Sequence, residues 1–265
     1  MLVVQLSDIH ILRRPDSGKA MFADNASRLQ RTIEFIRQLV PVPDVAIISG
    51  DLSHEGDLFD YSYCRLLLER LPCPFFVVPG NHDYRDFVRK TFPLNGHYAD
   101  IDFYQFECDL FPLRIIGIDT LENGKTGGEL CLDRLDWIEA ALSRSLRPTL
   151  ITMHHPPYHF GMIDNADMAC TRGMDRLEAL IRAHGNIVGL ICGHLHVATA
   201  RDWAGVRAMT VPSVAPGFAL EIGSGQLVGW QNSSPSVGLH FFRNGGITSH
   251  IVQVDDKSTF VPLTI

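Results

Sequence analysis

The segment Phe75-Phe76-Val77-Val78-Pro79-Gly80-Asn81-His82-Asp83 decides how the rest of the chain is read. Phe75 to Val78 have the aromatic and β-branched character of a buried strand, and Pro79-Gly80 ends it in a tight turn. The turn then presents an amide, an imidazole and a carboxylate in succession. The same event recurs at Leu6-Ser7-Asp8-Ile9-His10, Ile48-Ser49-Gly50-Asp51, Met153-His154-His155-Pro156 and Cys192-Gly193-His194-Leu195-His196. In open α/β sheets, ligands bind in the crevice beyond the carboxyl ends of the strands, so turns of this kind imply one shared site.

Working outward, apolar runs at Val3-Leu6, Val45-Ile48, Ile115-Ile118, Leu150-Met153 and Ile187-Cys192 predict further buried strands. Asn25-Leu39, Leu58-Arg70, Leu132-Arg144 and Met174-His184 have helical spacing with charged faces. The first ~195 residues therefore read as β and α in alternation, an α/β domain. After Val197, Gly and Ser become frequent and short alternating segments follow at Val206-Val211, Phe218-Ile222, Ser236-Phe242 and Ile247-Val254. These predict antiparallel strands, with 1–265 read as one domain whose tail, about 197–265, completes a second sheet. Residues about 216–235 are expected to form a lip over the site or a subunit contact. Trp230, Phe241 and Phe242 are the apolar candidates for a homo-oligomer interface.

With 265 residues, 46% of them hydrophobic, the chain can bury a large core. A formal charge of −7 offers no basic field for polymeric nucleic acid or an anionic membrane, so a phosphate-bearing substrate must be attracted locally, by bound cations. No apolar run approaches a membrane span and the start lacks the look of a signal peptide, so a soluble cytoplasmic protein is expected. The six cysteines lack CxxC spacing and are read as reduced apolar residues.

The donor types fit metal binding. Asp8 and His10, like His194 and His196, lie two apart, a spacing that on an extended strand points both side chains to one side. Asp51 has two oxygens with which to bridge two cations, and Asn81 supplies a neutral carbonyl oxygen that limits the negative charge. Two divalent ions against two carboxylates and a hydroxide leave net positive charge for a phosphate, and such a pair acidifies a shared water. Between the adjacent His154 and His155, the residues alone leave the choice open.

Taken together and in this order, the five motifs resemble the calcineurin-like metallophosphoesterases from residue 8 to 196. Ser7-Asp8-Ile9-His10, Ser49-Gly50-Asp51-Leu52, Ile118-Asp119-Thr120 and Met153-His154-His155-Pro156-Pro157 look most like the bacterial cyclic-nucleotide and glycerophosphodiester phosphodiesterase branch. The resemblance implies a four-layer α/β/β/α sandwich of two mixed sheets. It further implies Asp8, His10 and His196 on one metal, Asn81, His154 and His194 on the other, and Asp51 between them. His82 would stand beside the phosphate as a catalytic residue, together with the ligand Asn81, and His155 would face away.

Outside the motifs, Tyr158 and His159 sit on a loop leaving the site and are candidate substrate contacts. Asp119 is read as a turn residue and Asp83 as a cap or support for the Asn81 loop, while His54, His97, His184, His240 and His250 are read as ordinary polar residues. The expected activity is hydrolysis of a small phosphodiester, a cyclic nucleotide or a glycerophosphodiester, by in-line attack of a metal-bridging hydroxide. Mn²⁺, Fe²⁺, Zn²⁺ and Co²⁺ all suit the mixed donors. The alternatives are a phosphomonoesterase or broad phosphohydrolase, which would want inward-pointing cations among Arg13, Arg14, Arg85 and Arg172, and a non-catalytic metal-binding scaffold.

Overall fold

A computed structural model describes residues 1–14, 17–93, 97–98, 102–160, 169–220 and 227–254. From the N-terminus, β1 (Leu2–Leu6) leads through a 3-10 turn (Ser17–Phe22) to α1 (Asn25–Arg37) and β2 (Val45–Ile48). Then come α2 (Leu58–Leu68), β3 (Phe75–Val77), α3 (Arg85–Thr91), β4 (His97–Tyr98), β5 (Phe106–Cys108), β6 (Arg114–Ile118) and β7 (Gly128–Glu129). The chain continues through α4 (Leu132–Ser143), β8 (Thr149–Met153), β9 (Cys170–Arg172), α5 (Met174–Ala183) and β10 (Ile187–Cys192). It ends with β11 (Thr199–Trp203), β12 (Val206–Thr210), β13 (Gly217–Leu220), β14 (Leu227–Gln231), β15 (Ser236–Arg243) and β16 (Gly246–Gln253).

Two large mixed sheets result, in the orders β16-β15-β1-β2-β3 and β11-β12-β10-β8-β6-β5-β4. One core joins the sheets to each other and to α1 and α2: Val3, Ile47, Leu150 and Ile191 share it with Leu29, Ile33, Ile36 and Leu67. A second lies between the seven-stranded sheet and α4 and α5, with Ile116, Ile151 and Leu190 against Ile138, Leu142, Leu177 and Ile181. The layering is thus α/β/β/α. Leu29, Ile33 and Ile36 are fully buried at helical spacing, each stabilising the fold by about 1.5–3 kcal/mol.

The tail does not belong wholly to the second sheet: it is divided between the two large sheets and a separate two-stranded sheet of β13 and β14. β11 and β12 extend the second sheet beside β10, whereas the β15–β16 hairpin joins the first through antiparallel pairing of β15 with β1. Ile222 and residues 255–265, expected from the sequence to belong to the tail, lie outside the described residues.

Within the first sheet β1, β2 and β3 are parallel, as are β6, β8, β10 and β12 in the second, so their carboxyl ends gather along common edges. Gln5 sits beneath this meeting point. Its Nε2 donates to Ser49 Oγ (2.8 Å) and the Cys192 carbonyl (2.9 Å), which ties β1 to the second sheet. Its Oε1 accepts from His240 Nε2 at 3.0 Å.

Candidate metal centre

Five of the seven non-glycine residues with positive φ among the described residues are Asp8, His10, Asp51, His194 and His196. Left-handed backbone is unfavourable for residues with a Cβ, so these turns hold strain where the polar side chains cluster. Asp8 and His10 are therefore turned toward one another by left-handed residues, not by the alternation of an extended strand, and the same correction applies to His194 and His196. Hydrogen bonds between loops fix the turns: Asp8 N donates to the Gly50 carbonyl (3.1 Å) and His10 N to that of Asp51 (2.8 Å). Gly50 at φ 100° and Gly193 permit close approach, since a Cβ on either would overlap His154 or Ser7 respectively.

Asp51 lies at the centre. Its Oδ2 is 3.4 Å from both His10 Nε2 and His154 Nε2, and its Oδ1 accepts from the His82 amide at 2.9 Å. On one side, His196 Nε2 lies 3.2 Å from His10 Nε2 and 3.5 Å from Asp8 Oδ1. On the other, His154 Nε2 lies 3.2 Å from Asn81 Oδ1, and the His194 ring is 5.0 Å from that of His154. Among the described residues, Asp8, His10, Asp51 and His196 converge closely enough to hold an ion, as do His154, His155 and His194.

Whether this set suits cations can be judged from its nitrogens. Nδ1 of His154 hydrogen-bonds the Ser49 carbonyl (2.7 Å) and Nδ1 of His196 that of Pro216 (2.8 Å), which leaves each Nε2 lone pair facing inward. His194 Nε2 is buried with no hydrogen-bond partner, an orphaned polar atom that a cation would satisfy. Burial holds His10 and His194 well below the usual imidazole range, in the neutral form that can ligate. The donors fit a divalent pair.

The carboxylates are tuned differently. Burial pushes Asp8 up. Burial also opposes charge on Asp51, but the imidazoles of His154, His82 and His10 outweigh it and hold that carboxyl well below its ordinary value. Burial likewise disfavours charge on His154, yet the adjoining Asp51 raises it to about 9. A cation at His154 must therefore displace a proton.

Surrounding groups brace the centre. The Asp83 carboxylate accepts from the amides of Gly80 (2.8 Å), Leu52 (3.1 Å) and Ser53 (3.4 Å), so it clasps the Asp51 and Asn81 loops together. Asp119 accepts from the Leu121 amide in a turn and also pairs with Arg85 at 2.6 Å. His155 is buried against the His194 ring, but Thr120 Oγ1 and the Thr126 carbonyl occupy its nitrogens at 2.8 and 3.0 Å.

Tyr158 turns into the second core with its hydroxyl 2.8 Å from Thr199 Oγ1, and His159 is exposed; neither joins the cluster of donors. His54, read as an ordinary polar residue, borders the centre: its Nδ1 is 3.2 Å from His10 Nδ1, and its ring stacks on those of Phe22 and His82. The available signal was its place three residues beyond Asp51 in the same loop. Trp230 and Phe218 form an aromatic wall, their rings 5.2 and 5.0 Å from that of His196, whereas Phe241 and Phe242 pack on the core.

Comparison with known proteins shows the family. The family model for calcineurin-like phosphoesterase matches residues 1–198. A probable glycerophosphodiester phosphodiesterase of Arcobacter nitrofigilis is 31% identical over 255 residues, 94% of this chain and 92% of that protein. A 3',5'-cyclic adenosine monophosphate phosphodiesterase of Pseudomonas aeruginosa is 29% identical over 83% of this chain and 78% of its own. In fold, the chain is similar to a dimetal phosphatase from Danio rerio, with a TM-score of 0.68 and 13% identity over 96% of this chain and 99% of that one.

Proposed function

The chain belongs to the calcineurin-like phosphoesterases, and from that premise we propose that it is a divalent-metal-dependent phosphodiesterase acting on a small diester, a cyclic nucleotide or a glycerophosphodiester. The observation that carries this reading is Asp51 Oδ2 standing 3.4 Å from an imidazole nitrogen on each side. Asp8, His10 and His196 would hold one ion, Asn81, His154 and His194 the other, with Asp51 shared. When bound, the ions supply positive charge that acidifies water and offsets the charge gathering on phosphorus. Mn²⁺, Fe²⁺, Zn²⁺ and Co²⁺ each suit these donors.

His82 is half-buried with Nδ1 2.8 Å from the His54 carbonyl, which leaves Nε2 for the substrate. When protonated there, it can donate to a phosphate oxygen or to the departing alkoxide. A diester is supported over a dianionic monoester by the engagement of three of the four candidate arginines, Arg85 with Asp119, Arg172 with Glu129 and Arg13 over the Phe59 ring. The reaction is proposed to take place in the cytoplasm. Among the described residues no helix is long and apolar enough to cross a membrane.

The test is a side-by-side rate measurement on a cyclic nucleotide, a glycerophosphodiester and an aryl phosphomonoester with added Mn²⁺, and Asn81→Ala as control. The proposal expects at least one diester to be turned over faster than the monoester, and the control to lose most of that rate. Monoester preference would move the reading to a phosphomonoesterase, and no turnover by metal-loaded protein would move it to a scaffold.

A further inference from the structure

His10, His154 and His196 each direct Nε2 toward the cluster, but their Nδ1 atoms are held in different ways. His154 and His196 are held by main-chain carbonyls, those of Ser49 and Pro216. His10 is held by another imidazole, with 3.2 Å between His10 Nδ1 and His54 Nδ1. Two facing nitrogens at this distance need one proton between them. If His10 Nε2 is to offer a lone pair, that proton belongs to His10 Nδ1, so His54 Nδ1 must be the acceptor and His54 must carry its own proton on Nε2.

The His54 ring is stacked between Phe22, with centroids 4.2 Å apart, and His82, 5.2 Å away. Phe22 is almost wholly buried, with Leu12 and Ala215 around it, so the stack has a fixed base. The His54 carbonyl also holds His82 Nδ1 at 2.8 Å. One loop residue thus contacts both the imidazole that faces Asp51 and the imidazole left open toward substrate.

We propose that His54 is a positioning residue: its ring fixes the tautomer and angle of His10 by accepting the Nδ1 proton, and its carbonyl orients His82. The inference rests on the reading of His10 as a metal ligand. Partners of this kind set ligand orientation and basicity, and their loss typically weakens metal binding by about 10–100-fold.

The experiment compares His54→Phe, which keeps a stacked ring and removes the acceptor, with His54→Asn, whose amide oxygen can take the place of Nδ1. Mn²⁺ affinity is measured by calorimetric titration of metal-free protein, with thermal melting of the metal-free forms alongside. The proposal expects His54→Phe to bind one of two ions about 10–100-fold more weakly at an unchanged melting temperature, and His54→Asn to recover most of the loss. Equal affinity in wild type and His54→Phe, or no recovery in a folded His54→Asn, would overturn it.

Nitrogen NMR of the Zn²⁺-loaded wild type reads the tautomer without any variant. His54 protonated at Nε2 with a bare Nδ1 supports the assignment, and the opposite tautomer defeats it. Wild type that binds no divalent ion would instead remove the metal-site reading beneath it.

Discussion

The two sides of Asp51 differ in charge and in how their side chains are held. The Asp8–His10–His196 side has a carboxylate of its own, which accepts from Ser7 Oγ at 2.5 Å and from the His194 amide at about 3 Å. The Asn81–His154–His194 side has no carboxylate of its own and includes the buried His194 Nε2 that finds no protein partner. In the proposed arrangement an ion on the first side would have Asp8 as well as Asp51, and one on the second would have Asp51 alone and would displace the proton of His154. We therefore propose a tight half and a loose half around one common carboxylate.

Replacing Asp51 should erase the distinction. Asp51→Ala is expected to lower kcat by on the order of 10⁴-fold, because both halves lose their common ligand and several kcal/mol of charge stabilisation with it. Steady-state rates check this, and near-normal turnover would mean that the halves do not share a ligand. His82 belongs to neither half, so His82→Ala should cost about 10²–10³-fold in kcat while bound metal, measured by elemental analysis, stays unchanged. Asn81→Asp acts on the loose half alone: a carboxylate there is expected to tighten its ion about tenfold in a chelator competition, with little change on the other side.

The smallest effect is remote from both halves. Burial lowers His240 to about 4, against an ordinary value near 6.5. A group whose folded pKa is depressed is more protonated in the unfolded chain between those values, so stability is full above pH ~6.5 and falls as pH drops toward 4. The slope is at most about 1.4 kcal/mol per pH unit. His240→Gln should flatten the fall of melting temperature over that window and leave metal affinity untouched.

The clustered side chains were legible because each motif follows an apolar run, and strands of known direction bring their ends together whatever lies between. Their geometry was less so. The i, i+2 spacing singled out Asp8 and His10, which do converge, but for a conformational reason that the left-handed φ values replace. His54 was missed although it lies three places past Asp51, because that position marks the loop without fixing which way the loop folds back. The destination of the tail was hidden as well: alternation in Ser236–Arg243 predicts a strand, but pairing with β1 depends on the buried contacts of Val237 and Leu239 at long range. Arg85–Thr91, a helix of seven residues, is too short for its periodicity to stand out.

The bridging role of Asp51 is tested most directly by counting divalent ions in fully loaded, folded wild type and Asp51→Asn by elemental analysis, with each fold verified by circular dichroism. The account predicts two ions per wild-type chain and fewer than one in the variant. One ion in the wild type, or two retained without the Asp51 carboxylate, would contradict it.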